Sequence, residues 1–343
     1  MKMKKFIFIF LLLVTFTGFT QEHIIGVVLD SKTQKPIESA TVYFDNTTIG
    51  TTTNKEGYFS IKYEKGISSS LIVSFLGYKA VTLNSYEPNI RYKIMLEEDP
   101  SILEEVVITT DNIWTRDFML KQFRDNFLGT SKSAKLCKIL NEDDIVLSFD
   151  VNRNMLTATT NKPLWIQNEY LGYRIDYELN DFHIAYKKYE GYEKRWNRTK
   201  SYYAGTSFFT SLDTLANIKK IERRRNEIYE GSVLHFMRAI FNNRVKEEGF
   251  KLYREDIEIK PDNENYLIVK KTDDPDFIYV KIIKPLTILY KNNRTSQVQL
   301  EDEVEYFFIN IFGNHIPPDA LYFSGDMGEQ RFGDCVPLDY FPK

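Results

Sequence analysis

Four histidines are the first residues of this 343-residue chain to test for chemistry. A zinc carboxypeptidase holds its metal with a His-x-x-Glu pair and a distant histidine, and these three ligands leave one position open for water. The histidines here are His23, His183, His235 and His315, and none is followed by glutamate at the third position. The sequence therefore excludes zinc carboxypeptidase chemistry. Isolated histidines of this kind are more often structural or surface residues.

Other catalytic side chains show no recognisable spacing either. The chain lacks a Gly-x-Ser-x-Gly elbow, a Cys-x-x-Cys pair and the glycine-rich nucleotide-binding motifs. Adjacent acids at Asp143-Asp144 and Asp273-Asp274 could serve a glycosidase, which needs two carboxylates about 5–10 Å apart, but solvated turn acids are the favoured interpretation. The acids of the C-terminal tail lack the alternating register of a calcium loop: Asp326, Glu329, Asp334 and Asp339. We predict a non-enzymatic protein without a cofactor or metal.

The two cysteines, Cys137 and Cys335, allow two interpretations. In an exported protein they can form a disulfide that ties the start of the second domain to the end of the chain. The alternative is two separate buried thiols. The sequence does not choose between these interpretations.

The densest basic cluster is a candidate binding patch for lipid headgroups or an acidic polymer. It lies mainly opposite the apolar face of a predicted helix, close to glutamates at helical spacing. A solvated helix face is the favoured interpretation. The cluster consists of Lys219, Lys220, Arg223 and Arg224, followed by Arg225.

Residues 1–20 have the layout of a secretory signal peptide. Three lysines precede the uninterrupted apolar run 6–14, and small residues precede a cleavage site before Gln21. Without these lysines the chain has 42 basic and 48 acidic residues, a net charge of about −6, which disfavours nucleic-acid binding. No later apolar run approaches the roughly 20 residues of a membrane helix. We expect an exported protein, located in the periplasm or at the outer membrane.

The first 75 residues after this segment predict a β-sandwich. Apolar residues alternate through 59–63, 71–75 and 81–83, so that one face of each strand meets a core. Further alternating runs bring the total to seven strands, which we expect to be antiparallel. A domain this small buries only about 60% of its unfolded surface, so we expect the following residues to stabilise it. The domain is predicted to span residues 21–97.

The same residues resemble a known family, the carboxypeptidase-like regulatory domain, which has a transthyretin-like (prealbumin-like) sandwich. The matching segments occur in the family's order: 26–30, Thr33, 36–37, Ala40, 50–54, 57–59 and 73–78. The resemblance implies an accessory domain of Gram-negative envelope proteins, often found at the N-terminus of TonB-dependent receptors. It does not imply peptidase activity.

Residues 98–112 are predicted to be a linker. The string 103–109, LEEVVIT, resembles the segment that joins this domain to the plug of TonB-dependent receptors, where it can contact TonB. Only about 230 residues follow, too few for a plug and a 22-stranded barrel whose strands each need about 10 residues. A linker strand that pairs with a sheet edge is therefore favoured over a TonB contact.

Residues 113–343 predict a mixed α+β domain of unknown function, which makes the whole chain mostly β with some α. Thr115 is a candidate N-cap for a helix that ends before Gly129. Strands are expected from Asp144 to Phe209, followed by two helices. The second of these helices is predicted to begin after Ser232 and to end at Gly249, with short strands beyond it.

These observations favour a cell-envelope binding or scaffold protein whose partner is another envelope protein or a polysaccharide. Two alternatives remain open at this point. One is a glycan or peptide hydrolase with its site in residues 113–343. The other is a TonB-linked accessory of the outer membrane.

Overall fold

A computed structural model gives the architecture of the chain, with three separate hydrophobic cores. No helix among the residues it describes is long and apolar enough to cross a membrane. The signal-peptide segment and the 103–109 string lie outside those residues. The residues described are 22–67, 69–100, 113–188, 196–213, 217–261 and 263–342.

The N-terminal core belongs to a sandwich of seven strands in two sheets, which confirms the predicted fold class. One sheet has the order β4-β1-β7 and the other β3-β2-β5-β6. The pairing of β1 with β7 is parallel, which corrects the expectation that all pairs are antiparallel. In this pair, the last strand of the sandwich lies beside the first and runs in the same direction. The strands are β1 (His23–Asp30), β2 (Thr41–Phe44), β3 (Gly50–Thr52), β4 (Tyr58–Lys62), β5 (Leu71–Ser74), β6 (Val81–Leu83) and β7 (Arg91–Leu96).

Close packing in the sandwich requires glycine at Gly26. A Cβ there would lie 2.6 Å from the Phe59 ring and 2.7 Å from the carbonyl oxygen of Tyr92. At the end of β7, Glu98 forms a bridge with Tyr78, so the start of the predicted linker pairs with the edge of the sandwich. The remainder of that linker, from residue 101, is outside the described residues.

The second core lies between helix α1 (Arg116–Phe127) and a six-stranded antiparallel sheet. The Thr115 hydroxyl accepts a hydrogen bond from the N–H of Phe118, which confirms the predicted N-cap. The helix buries Met119, Leu120 and Phe123 against the sheet. The strands are β8 (Cys137–Ile139), β9 (Ile145–Asp150), β10 (Met155–Thr160), β11 (Leu164–Asn168), β12 (Tyr173–Lys188) and β13 (Trp196–Ser211), with 3-10 turns at Ala134–Leu136 and Glu142–Asp144.

The third core is enclosed by two sheets, β15-β14-β18-β19-β22 and β16-β17-β20-β21, with a helix packed against it. Two helices precede these sheets, as the sequence predicts. The elements are α2 (Ile218–Tyr229), α3 (Val233–Phe241), β14 (Phe250–Arg254), β15 (Ile257–Ile259), β16 (Leu267–Lys271), β17 (Phe277–Ile282), β18 (Leu286–Tyr290), β19 (Arg294–Leu300), β20 (Phe307–Asn310), β21 (His315–Ile316), β22 (Leu321–Ser324), α4 (Gly325–Glu329) and a 3-10 turn at Phe332–Asp334.

Helix α3 ends well before Gly249, so the prediction of its C-terminus was wrong. Asn243 adopts a φ of +53°, the left-handed conformation that ends many helices. The N–H of Arg244 then donates to the carbonyl of Ala239, and the N–H of Asn243 donates to that of Ile240. This pair of bonds is the Schellman arrangement, in which asparagine occupies the position that glycine commonly holds.

The sandwich is joined to the six-stranded sheet by backbone hydrogen bonds. Asn46 N–H donates to the carbonyl of Ser207 at 2.8 Å, and Phe209 N–H donates to the carbonyl of Thr47 at 3.0 Å. Phe312, from the third region, is buried within the core of the sandwich. These contacts agree with the expectation that later residues stabilise this small domain.

The C-terminal tail connects the three regions through Arg238 of α3, which is buried. Its guanidinium donates to the carbonyls of Phe312, Leu338 and Tyr340 at 2.7–2.9 Å. The N–H of Leu338 in turn donates to the carbonyl of Asn46 in the sandwich, at 2.7 Å. The Arg238 guanidinium thus holds the C-terminal tail where the tail also contacts the N-terminal sandwich.

A candidate binding cleft between the sandwich and the six-stranded sheet

The outer face of the six-stranded sheet carries a short row of functional side chains. On β12, Tyr173, Ile175 and Tyr177 are buried in the second core. Because side chains alternate along a strand, Asp176 and Glu178 project from the opposite face. This face is the one turned towards the sandwich.

Strand register places an acid between two aromatic side chains. Trp165 on β11 is paired with Asp176, and Asp176 is paired with Phe208 on β13. Directly opposed residues share a face and approach closely enough to interact. The row Trp165–Asp176–Phe208 therefore forms one wall of a depression beside the sheet.

The sandwich supplies the other wall. Ser74 donates a hydrogen bond from its hydroxyl to Glu178 Oε1 at 2.8 Å, and the Tyr43 ring lies 5.3 Å from that of Phe208. The open cavity between these two walls has a volume of about 260 Å³. We call it the acidic aromatic cleft. It is lined by Ser39, Thr41, Tyr43, Ser74, Phe75, Leu76, Gly77, Tyr78, Asn161, Pro163, Trp165, Asp176, Glu178 and Phe208.

Both carboxyl groups of the cleft are partly desolvated, although the Asp176 side chain as a whole is 40% exposed. Burial raises the pKa of Asp176, an effect that the positive charge of Arg174 opposes. Oδ1 of Asp176 is shielded from solvent without a hydrogen-bond partner, and Arg174 Nε lies 3.8 Å away. Burial also raises the pKa of Glu178, although the bond from Ser74 favours its charged form. The cleft therefore offers acceptor groups to a ligand that brings donors.

The two carboxylates are neighbours on one wall, two residues apart on a single strand. A glycosidase instead places its acids on either side of the bond to be cleaved. In the described part of the chain, no group of three His, Cys, Asp or Glu side chains converges as a metal site would require. The placement of the two carboxylates thus differs from that of a two-carboxylate glycosidase.

A larger depression, of about 730 Å³, lies near the start of the C-terminal tail. Several of its polar groups already have protein partners. Asp334 Oδ1 accepts from the Ser131 hydroxyl at 2.6 Å, and Asp326 Oδ2 accepts from the Thr295 N–H at 2.7 Å. These contacts stabilise the tail.

The tail acids and paired acids singled out from the sequence are spread over the structure. Asp339 Oδ1 accepts the N–H of Thr48 in the sandwich at 2.9 Å, whereas Asp334 contacts Ser131. Asp144 is bound by Lys162, whose hydrogen bond lowers the pKa of that carboxyl. Asp274 lies in a turn, where its carboxylate accepts the N–H of Asp276.

The candidate disulfide residues end two short 3-10 turns that pack together. Ser133, next to the first turn, donates its hydroxyl to the carbonyl of Gly333 in the second, at 2.6 Å. Cys137 and Cys335 are free and partly buried. Burial raises the pKa of each thiol to about 12, and each is further raised by Asp334. The structure brings the two residues to the same place, and both interpretations, a disulfide and two separate buried thiols, stay predictions.

The candidate basic patch divides into exposed and stacked residues. Lys219, Lys220 and Arg223 are exposed, whereas Arg224 lies over the Tyr170 ring at 4.4 Å. Arg225 is not part of this surface, which corrects its place in the cluster. The guanidinium of Arg225 is buried, and it donates to both carboxylate oxygens of Asp213 at 2.9 Å and to the carbonyl of Leu171.

The histidines are separate structural residues. His235 is buried on α3; its Nδ1 accepts the N–H of Gly231, so its Nε2 donates to Glu248 at 3.2 Å. Burial lowers the pKa of His235 despite that carboxylate. His183 stacks on Tyr202.

Sequence reasoning missed the acidic aromatic cleft. The alternation through 173–179 assigns Asp176 and Glu178 to the polar face of a strand. That pattern is typical of any strand with one solvated face. The sequence does show two acids at alternate positions beside aromatic residues. This pattern does not show that a second domain covers the two acids.

Comparison with known proteins identifies the N-terminal region. Residues 24–108 match the family model of the CarboxypepD_reg-like domain. The CarboxypepD_reg-like domain thus includes Ser74, Phe75 and Tyr78 of the cleft wall. The match covers the N-terminal part of the chain and does not extend to the six-stranded sheet or the third region.

The other comparisons add no functional information. No curated protein sequence matches the chain. A solved structure with limited similarity is a 9R-lipoxygenase from Cyanothece PCC8801, at 12% sequence identity, and the aligned region covers 64% of this chain and 48% of the lipoxygenase. The TM-score of 0.18 is too low to support any inference about fold or function.

Proposed function

We propose that the protein is an exported, non-enzymatic binding protein of the cell envelope, in the periplasm or at the outer membrane. Its CarboxypepD_reg-like domain and the six-stranded sheet hold a partner in the acidic aromatic cleft between them. The observation that carries this proposal is the cleft itself, where Asp176 Oδ1 is desolvated without a hydrogen-bond partner. The signal-peptide pattern of residues 1–20 supports export.

Site-specific cross-linking in native cells tests the binding role and the location together. A photo-crosslinking residue replaces Leu76, which is 60% exposed at the cleft, and the matched control replaces Ile257, which is 70% exposed on β15. We expect a specific adduct from position 76 in the envelope fraction and none from position 257. Recovery of the protein in the cytosol with residues 1–20 intact, or equal adducts from both positions, would contradict the proposal.

A hydrolase is the second candidate, and the raised pKa values of Asp176 and Glu178 favour it because a protonated carboxyl is what a general acid requires. Turnover of a glycan or peptide that stops in the Glu178→Gln variant would establish this activity. The position of both acids on one wall disfavours it.

A contact with TonB through residues 103–109 is a separate proposal that rests on the sequence resemblance. Deletion of these residues tests it directly. Loss of TonB from a pull-down supports the contact, and unchanged binding removes it.

A further inference from the structure

We propose that the acidic aromatic cleft binds a cationic side chain, a lysine ammonium or an arginine guanidinium, presented by a partner protein. This inference rests on the proposed function and names the chemistry that the cleft recognises. It selects a protein over a polysaccharide as the partner.

Charge is the first argument. The residues that line the cleft include two carboxyl groups, Asp176 and Glu178, and no lysine or arginine. Arg174, on the same strand and about half exposed, forms a long ion pair with Asp176: its Nε lies 3.8 Å from Oδ1, beyond hydrogen-bond distance. An ammonium or guanidinium carries donors only, so it complements acceptor groups that the protein leaves incompletely satisfied.

Aromatic side chains are the second argument. Trp165 and Phe208 lie on either side of Asp176 in strand register, and Phe75 and Tyr78 line the facing wall. A cation is attracted to the face of an aromatic ring, most strongly for tryptophan, and the attraction increases when water is excluded. Rings around a carboxylate thus favour a cation over a neutral group.

Size is the third argument. A cavity of about 260 Å³ is slightly smaller than typical ligand-binding pockets, which range over about 300–1,000 Å³. It accommodates one side chain better than several linked sugar rings. Exposed Leu76 at the cleft provides apolar surface beside the cavity for the backbone that carries such a side chain.

Titration calorimetry with matched probes tests the proposal on the full chain. The cationic probes are Nα-acetyl-lysine methylamide and Nα-acetyl-arginine methylamide, and the neutral controls of similar shape are the norleucine and citrulline derivatives. We expect the cationic probes to bind with a Kd on the order of 1 mM and the neutral ones at least about tenfold more weakly. Equal affinity for charged and neutral probes overturns the proposal, as does the absence of binding.

Two substitutions that preserve shape locate the binding site. Asp176→Asn and Glu178→Gln should each weaken the cationic probes about tenfold, because each removes one charge. The amide introduced by Glu178→Gln still offers a carbonyl oxygen to the Ser74 hydroxyl, so that contact with the sandwich is kept. The exposed Asp273→Asn variant is the charge control and should bind unchanged. Equal weakening in all three variants overturns the assignment to this cleft.

The cross-linking and probe-binding results together distinguish a failure of this inference from a failure of the proposed function. A specific cross-link from position 76 without binding of the cationic probes overturns the cation assignment and leaves the binding role intact. Binding of a neutral oligosaccharide such as cellotetraose, abolished by Trp165→Ala and unaffected by Asp176→Asn, identifies a polysaccharide partner and likewise overturns it. Absence of both the cross-link and probe binding removes the two proposals together.

Discussion

Replacement of Asp45 with asparagine should make folding stability less sensitive to pH between about 4 and 7. Asp45 lies where the sandwich meets β13, and its Oδ1 accepts the N–H of Ser207 at 2.8 Å. Burial raises the pKa of Asp45 from 3.8 to about 6, although the N–H groups of Ser207 and Asn46 stabilise the charged form. The folded protein therefore binds this proton more tightly than the unfolded chain does.

The sign and size of the effect follow from proton linkage. The stabilising contribution of protonated Asp45 is fully present below about pH 4 and is lost as the pH rises through about 6. The rise in pKa corresponds to at most about 3 kcal/mol, and partial contact with solvent lowers the expected value to about 1–3 kcal/mol. Asparagine keeps an acceptor for Ser207 and carries no charge. The variant should therefore not lose folding stability at this position as the pH rises.

Urea denaturation at about pH 4.5, 5.5 and 7 measures the difference in unfolding free energy between the variant and the natural protein. We expect the variant to gain about 1–2 kcal/mol relative to the natural protein as the pH rises over this range, since part of the effect is already lost at pH 4.5. Asp273→Asn, at an exposed turn, is the control and should show no such change. A constant difference across the range would refute the reasoning.

The remaining predictions concern the other interactions that hold the cores together. Arg225→Met should lower the free energy of unfolding by about 3–5 kcal/mol, because it leaves the Asp213 carboxylate without its bidentate partner; a loss below about 1 kcal/mol would contradict this role. Phe332→Ala should cost about 3–5 kcal/mol, measured by urea denaturation, because this tail residue stacks on Phe127 in the second core. Thr115→Ala should cost about 1 kcal/mol through loss of the helix cap, and Thr115→Ser, which keeps the hydroxyl, should restore most of it.

The local structure of the chain could be predicted because its determinants are near in sequence. Thr115 occupies the N-cap position, where its hydroxyl accepts a backbone hydrogen bond. The apolar residues at helical spacing after it are buried. The end of α3 was mispredicted for a related reason, since asparagine ends a helix less often than glycine does. In this chain Asn243 takes the left-handed conformation, six residues before Gly249.

The candidate site could not be predicted, because its parts come from distant positions. Trp165 and Phe208 acquire their relation to Asp176 only through strand register, and Ser74 reaches Glu178 across 104 residues of sequence. Arg225 illustrates the same difficulty. Its neighbours in sequence indicate a solvated basic face, but the helix turns this one guanidinium inward to Asp213.

The sequence alone determined the alternation that builds the seven-stranded sandwich, the helix that begins at Thr115 and the absence of catalytic motifs, because these depend on residues a few positions apart. Only the tertiary structure decided which polar face is covered, which cation is buried and where the C-terminal tail lies. The physical reason is desolvation: the chemistry of Asp176 depends on how much water its surroundings exclude, and those surroundings are assembled from separate parts of the chain.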